Sequence, residues 1–93
     1  MEIQMKLKYD VFVSELGGSY VGVIVGNGFR EHRGLLKMNG TGASILRKLR
    51  QEISGEELIA AMAEEYPAET EETVENVVKG FVQKLTDAGL IEA

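Results

Sequence analysis

Gly34-Leu35-Leu36-Lys37-Met38-Asn39-Gly40-Thr41-Gly42-Ala43-Ser44-Ile45-Leu46 is the stretch at which the chain changes its hydrophobic period. Before it, apolar side chains recur every second residue; after it they recur every three or four. Strands therefore come first and helices follow. Toward the amino terminus, Ile3, Met5, Leu7, Tyr9, Val11 and Val13 occupy odd positions, and Glu2, Gln4, Lys6, Lys8, Asp10 and Ser14 separate them. That is one long half-buried strand, with only Phe12 out of pattern. Gly17-Gly18 supplies the positive dihedrals of a tight hairpin, and Tyr20 to Val25 has the β-branched content of a second strand. Gly26-Asn27-Gly28 is a further turn into a third strand, Phe29 to Met38.

Toward the carboxyl terminus, Asn39 or Thr41 can cap a helix that gathers Ala43, Ile45, Leu46 and Leu49 on one side and ends near Gln51. Arg47, Lys48 and Arg50 suit its final turns. Ser54-Gly55-Glu56-Glu57 has the form of a capping box, opening a helix with Leu58, Ile59, Met62 and Tyr66 as its stripe, until Pro67. Thr70 and Thr73, with Glu71 and Glu72, open a third helix. Its Val74, Val77, Val78, Phe81, Val82 and Leu85 form a wide apolar face, and Gly89 ends it, with Leu90 and Ile91 folding back. The expected fold class is α+β: a three-stranded antiparallel meander, then three α-helices, in one domain spanning residues 1–93.

Composition narrows what such a domain does. Ninety-three residues build one modest core, not a catalytic domain with a separate substrate domain. With no cysteine and a single histidine, thiolate metal sites, disulfides and thiol nucleophiles are excluded. The net charge of −5 opposes attraction to phosphate backbones and anionic membranes. No stretch is long and apolar enough to span a bilayer, so the cytoplasm is the expected location. The charge is unevenly placed: residues 1–50 carry eight Lys/Arg against four Asp/Glu, and residues 51–93 carry two against eleven.

No residue set supports catalysis. His32 sits between Glu31 and Arg33 with no second histidine to share a metal or a proton relay. The glutamates at Glu64, Glu65, Glu69, Glu71, Glu72 and Glu75 read as solvated faces and favourable helix-start charge. A strand followed by Gly40-Thr41-Gly42 and a helix has the order of a phosphate loop, but Ile45 stands where the third glycine is needed. Three helices with a small sheet also suggest a winged helix, an architecture often used on DNA. A recognition helix needs basic or amide side chains outward, whereas these helices offer glutamates. The third strand is different: at the edge of a meander it presents unpaired amides and carbonyls that a guest strand can complete. Its charges, Arg30, Glu31, Arg33 and Lys37, taken alone read first as protection of an edge against aggregation. Pairing between copies through the long first strand is a further possibility, as a weak or domain-swapped dimer.

The run Gly34 to Ala43 followed by Ile45-Leu46 resembles the signature of the PqqD family. So does the ending, Glu71-Glu72-Thr73-Val74-Glu75-Asn76-Val77-Val78, then Phe81-Val82 and Leu85-Thr86-Asp87-Ala88-Gly89-Leu90-Ile91. The resemblance as a whole spans about residues 9 to 92 and rests on the joint pattern. Gly40 stands where the family usually has Glu, which removes a charge at the start of the first helix.

The resemblance implies a winged-helix-like peptide chaperone with no catalytic residues, metal or cofactor of its own. It implies that the leader segment of a ribosomally made precursor peptide is held as an extra strand on the third strand, in a groove closed by the last helix. The leader would then be presented to a modifying enzyme, often a radical S-adenosylmethionine protein. On this chain the peptide-binding residues would be Arg30, Glu31, His32, Arg33, Leu35 and Leu36 from the strand, with Val78, Phe81, Val82 and Leu85 from the helix. Arg30, His32 and Arg33 would favour acidic leader side chains. A short guest strand buries little surface, so a dissociation constant on the order of 0.1–10 μM is expected.

Overall fold

The computed structural model describes residues 4–25 and 35–92. The strands are β1 (Gln4–Leu7), β2 (Val11–Leu16), β3 (Ser19–Ile24) and β4 (Leu35–Met38), then β5 (Ile53–Ser54) and β6 (Ile91–Glu92); the helices are α1 (Gly40–Lys48), α2 (Gly55–Glu65) and α3 (Glu71–Asp87). Strands β2, β3 and β4 form an antiparallel meander with β3 in the centre. A three-stranded sheet followed by three helices is thus the architecture, as the change of period requires.

The long first strand is corrected. It is two strands in two sheets: β1 pairs with β5 and β6 on either side, and β2 begins the meander. Between them, Leu7 N–H bonds to the Leu49 carbonyl at 2.8 Å and Lys8 N–H to the Leu90 carbonyl at 2.8 Å, tying the chain to the ends of α1 and α3. A period of two does not register this bend. Leu7 and Val11 are both buried, so parity survives across it.

The turns and caps follow local chemistry. Gly17 and Gly18 both have positive φ, 55° and 86°, as a two-residue hairpin loop demands. Asn39, not Thr41, caps α1, its Oδ1 accepting from Gly42 N–H at 2.8 Å. The capping box of α2 is complete: Ser54 Oγ accepts from Glu57 N–H at 3.1 Å, and Glu57 Oε1 accepts from Ser54 N–H at 3.0 Å. The backbone bond from Ser54, and then its side-chain bond, hold the Glu57 carboxyl below its ordinary pKa. Thr70 caps α3 by accepting from Thr73 N–H at 3.1 Å. At the other end Gly89 turns at φ 78°, so that Gly89 N–H reaches the Thr86 carbonyl and Leu90 N–H the Leu85 carbonyl. That closure buries Leu90, which is 3% exposed.

Helix α1 is the centre of the core: Ala43, Ile45, Leu46 and Leu49 have no exposed surface. Leu58 and Met62 of α2 and Val74, Val78 and Leu85 of α3 close over it from one side, and Leu7, Val11, Ile24 and Met38 meet it from the sheets. The one polar side chain buried within α1, Ser44, lies 2.8 and 2.7 Å from the two Glu65 oxygens and donates to that carboxylate. Lys48 Nζ donates to Ser44 Oγ at 2.8 Å and to Glu65 at 2.7 Å, completing a clamp between α1 and α2. Burial of a hydroxyl is tolerated because its hydrogen bonds are made.

Candidate functional site

The meander has two rims, β2 and β4, and the hairpin at Gly17-Gly18 fixes which backbone groups each presents. A two-residue loop makes its flanking residues, Leu16 and Ser19, a hydrogen-bonded pair, and bonded pairs then alternate along the ladder. Ser14–Val21 and Phe12–Val23 are the next bonded pairs, and Val25 N–H reaching the Asp10 carbonyl at 3.0 Å continues the series. On its other side β3 therefore bonds through Tyr20 and Gly22, to Met38 and Leu36. Leu35 and Lys37 are left with their N–H and C=O groups directed out of the sheet. Among the described residues no strand or side chain bonds to them.

Beside this open rim stands α3. The Phe81 ring lies against the junction of β4 and α1: a Cβ built on Gly42 would come 2.9 Å from Phe81 Cε1 and 3.1 Å from Met38 Cβ. Gly42 is thus required by proximity, since its missing side chain is the space that the phenylalanine occupies. Four residues earlier, Val77 is on the same flank of the helix and 43% exposed, an apolar side chain facing water. Val77 and Val78 also line a cavity of about 270 Å³ with Val74, Met62, Tyr66 and, at the end of β4, Asn39. Thr41, Thr73 and Glu69 supply its polar rim. An extended apolar wall therefore runs from Phe81 past Val77 into this cavity, beside a strand with free backbone groups. Such an arrangement accepts an extended peptide: the rim offers hydrogen bonds, and the wall takes every second side chain.

The residues expected to bind are not all placed alike. Leu36 and Phe81 are half-buried where the wall meets the strand, and Val78 is on the cavity wall though only 2% exposed. Leu85 has no exposed surface and belongs to the core beneath the wall, so it supports the groove without lining it. Val82 is about 100° round the helix from Phe81, across the buried Val78–Leu85 stripe, and so is on the flank away from β4. Arg30, Glu31, His32 and Arg33 lie outside the described residues, as does the Gly26-Asn27-Gly28 turn. Leu35 is placed as a strand residue opposite Val23.

Sequence reasoning missed Val77 and Gly42 as groove residues. The signal for Val77 was its four-residue spacing from Phe81; for Gly42 there was none, because a close approach between α1 and α3 is not a local property. The cavity residues Met62 and Tyr66 were legible only as a core stripe.

The remaining surface is acidic around the helices. Glu56, Glu57 and Glu64 of α2 and Glu71 and Glu72 of α3 are all exposed. Among the described residues no helix is long and apolar enough to cross a membrane, and no group of three or more His, Cys, Asp or Glu is placed to hold a metal ion.

A family model described as coenzyme PQQ synthesis protein D (PqqD) matches residues 29–91. The match takes in β4, all three helices and both walls of the groove. None of the curated proteins compared with the chain matches it. Among solved structures, TbiB1 in complex with the TbiA(beta) leader peptide has the same fold: the TM-score is 0.68 at 22% identity, covering 95% of this chain and 95% of that one.

Proposed function

Since this chain belongs to the PqqD family, we propose that it is a non-catalytic peptide chaperone that takes the leader segment of a ribosomally made precursor as a fourth strand on β4. The observation that carries this reading is the β4 rim, unpaired among the described residues, with the backbone groups of Leu35 and Lys37 directed outward, beside the apolar flank of α3. The guest's backbone bonds to the rim, which tolerates varied sequence, and its inward side chains pack on Leu36, Phe81 and Val77 or enter the cavity beside Val78. Lys37 on the rim favours an acidic leader, in the same sense as Arg30, His32 and Arg33. That TbiB1, which shares this fold, was solved with a leader peptide supports the choice of guest. The captured leader is handed to a peptide-modifying enzyme, a radical S-adenosylmethionine protein or another, and micromolar affinity allows its release. The whole chain, residues 1–93, acts as one recognition domain in the cytoplasm, as a monomer or a weak dimer. The exposed glutamates of α2 and α3 oppose use of the fold on nucleic acid.

Proline substitution with a titration of candidate leader peptides tests this. Lys37→Pro removes an outward N–H, so the circular-dichroism spectrum stays native while the dissociation constant rises at least about tenfold. Leu36→Pro removes an amide that bonds to β3 and disrupts the sheet itself. Amide-shift changes confined to residues far from 35–38 and 77–81 would show that leaders bind elsewhere.

A further inference from the structure

The sheet has a second rim, and it is guarded. By the same alternation, Val11, Val13 and Glu15 direct their backbone groups away from β3 along the free side of β2. Phe12 and Leu16, each 63% exposed, make this strand an attractive template for pairing. Yet the Val11 carbonyl is occupied: Arg50 Nη2 donates to it at 3.1 Å. Arg50 follows Leu49, the residue that caps the carboxyl end of α1. One turn earlier, Arg47 lies over the Tyr20 ring, 6.0 Å from its centroid, and Tyr20 is opposite Glu15 in the ladder. Arg47 and Arg50 also share an open cleft with Phe12, Val13, Glu15 and Tyr20. Two guanidinium groups from the end of α1 thus flank β2 from Val11 to Glu15. No described side chain plays that part on β4.

We propose that Arg50 is a specificity-determining residue that closes the β2 rim, so that a strand can be added only on β4 and copies of the chain do not pair through β2. A strand arriving at β2 has to break the bond to Val11 and strip water from the guanidinium, and at the Val11 carbonyl it gains only what the Arg50 bond already supplied. The inference rests on the reading above for the guest on β4, but the occupant excluded from β2 is a second copy of this chain.

The test therefore needs no peptide. Arg50→Met keeps much of the apolar stem and removes the donor; Arg50→Ala removes both. The unsubstituted chain is expected to hold the 10.2 kDa mass in light scattering as concentration rises, with the Val13 and Glu15 amides open to hydrogen exchange. Each variant is expected to self-associate at least tenfold more tightly, and its Val13 and Glu15 amides to become protected as concentration rises while the Lys37 amide stays open. Association within twofold of the unsubstituted chain overturns the proposal, as does association through β4. Loss of the native fold in both variants also overturns it, since Arg50 is then a structural strut. Failure of leader peptides to bind leaves these measurements intact, so the two readings fail separately.

Discussion

The Phe81 ring stands where a side chain on Gly42 would have to be: a Cβ there would lie 2.9 Å from Phe81 Cε1. The first turn of α1 and the middle of α3 approach closely here, and the contact helps to hold the apolar wall beside β4 in place.

Gly42→Ala therefore tests whether the wall is positioned or merely present. Alanine is the better helix former by about 1 kcal/mol, but overpacking at a closed contact costs about 1–3 kcal/mol, and the Met38 Cβ at 3.1 Å leaves little room on the other side. The expected outcome is a net destabilisation of about 1 kcal/mol in chemical denaturation. Leader affinity should fall roughly tenfold, as the ring is pushed into the groove. Unchanged affinity would separate Phe81 from the peptide site.

Gly80→Ala has the opposite logic. A Cβ on Gly80 would meet nothing within 4 Å, so in the free protein the helix gains about 1 kcal/mol. Gly80 is about 100° from Phe81 and about 60° from Val77 round the helix, so the proposed guest, packing on Val77, would come within reach of it. Thermal stability should rise while leader affinity falls severalfold. Both rising together would place the guest away from this flank.

The clamp between α1 and α2 predicts a pH dependence. Lys48 first, and Ser44 second, hold the Glu65 carboxyl below its ordinary pKa. A carboxyl lowered in the folded state stabilises the fold fully above the ordinary glutamate range, and that contribution is lost as pH falls through the lowered folded value. The Glu65 side chain is 40% exposed, so solvent screening limits the effect to about 0.5–1 kcal/mol. Glu65→Gln should be less stable than the unsubstituted protein near neutral pH, with the gap closing on acidification. Unfolding curves measured from pH 7 down to about pH 3 check this.

Much of the fold was legible because the signals are local. A two-residue period against a longer one separates sheet from helices, Ser54 and Glu57 announce a capping box three residues apart, and Gly89 ends α3 where left-handed backbone is needed. The bend between β1 and β2 was not legible, because Leu7 and Val11 share parity and the cause lies at Leu49 and Leu90, distant in sequence. The positions of the proposed binding residues divide in the same way. Phe81 and Leu36 could be nominated from an apolar stripe and an edge strand, but the stripe could not say that Leu85 would be sealed in the core or that Val82 would face away from β4.

By itself the sequence determined that strands come first and helices follow, where α2 and α3 open, that Gly89 ends α3, and that no thiol chemistry is available. Those outcomes depend on side chains within a few residues of one another and on composition. Only the tertiary structure decided which rim of the sheet is left unpaired among the described residues. Whether a backbone carbonyl meets water or a guanidinium depends on bringing Arg50 to Val11, 39 positions apart, and nothing local in either segment carries that information.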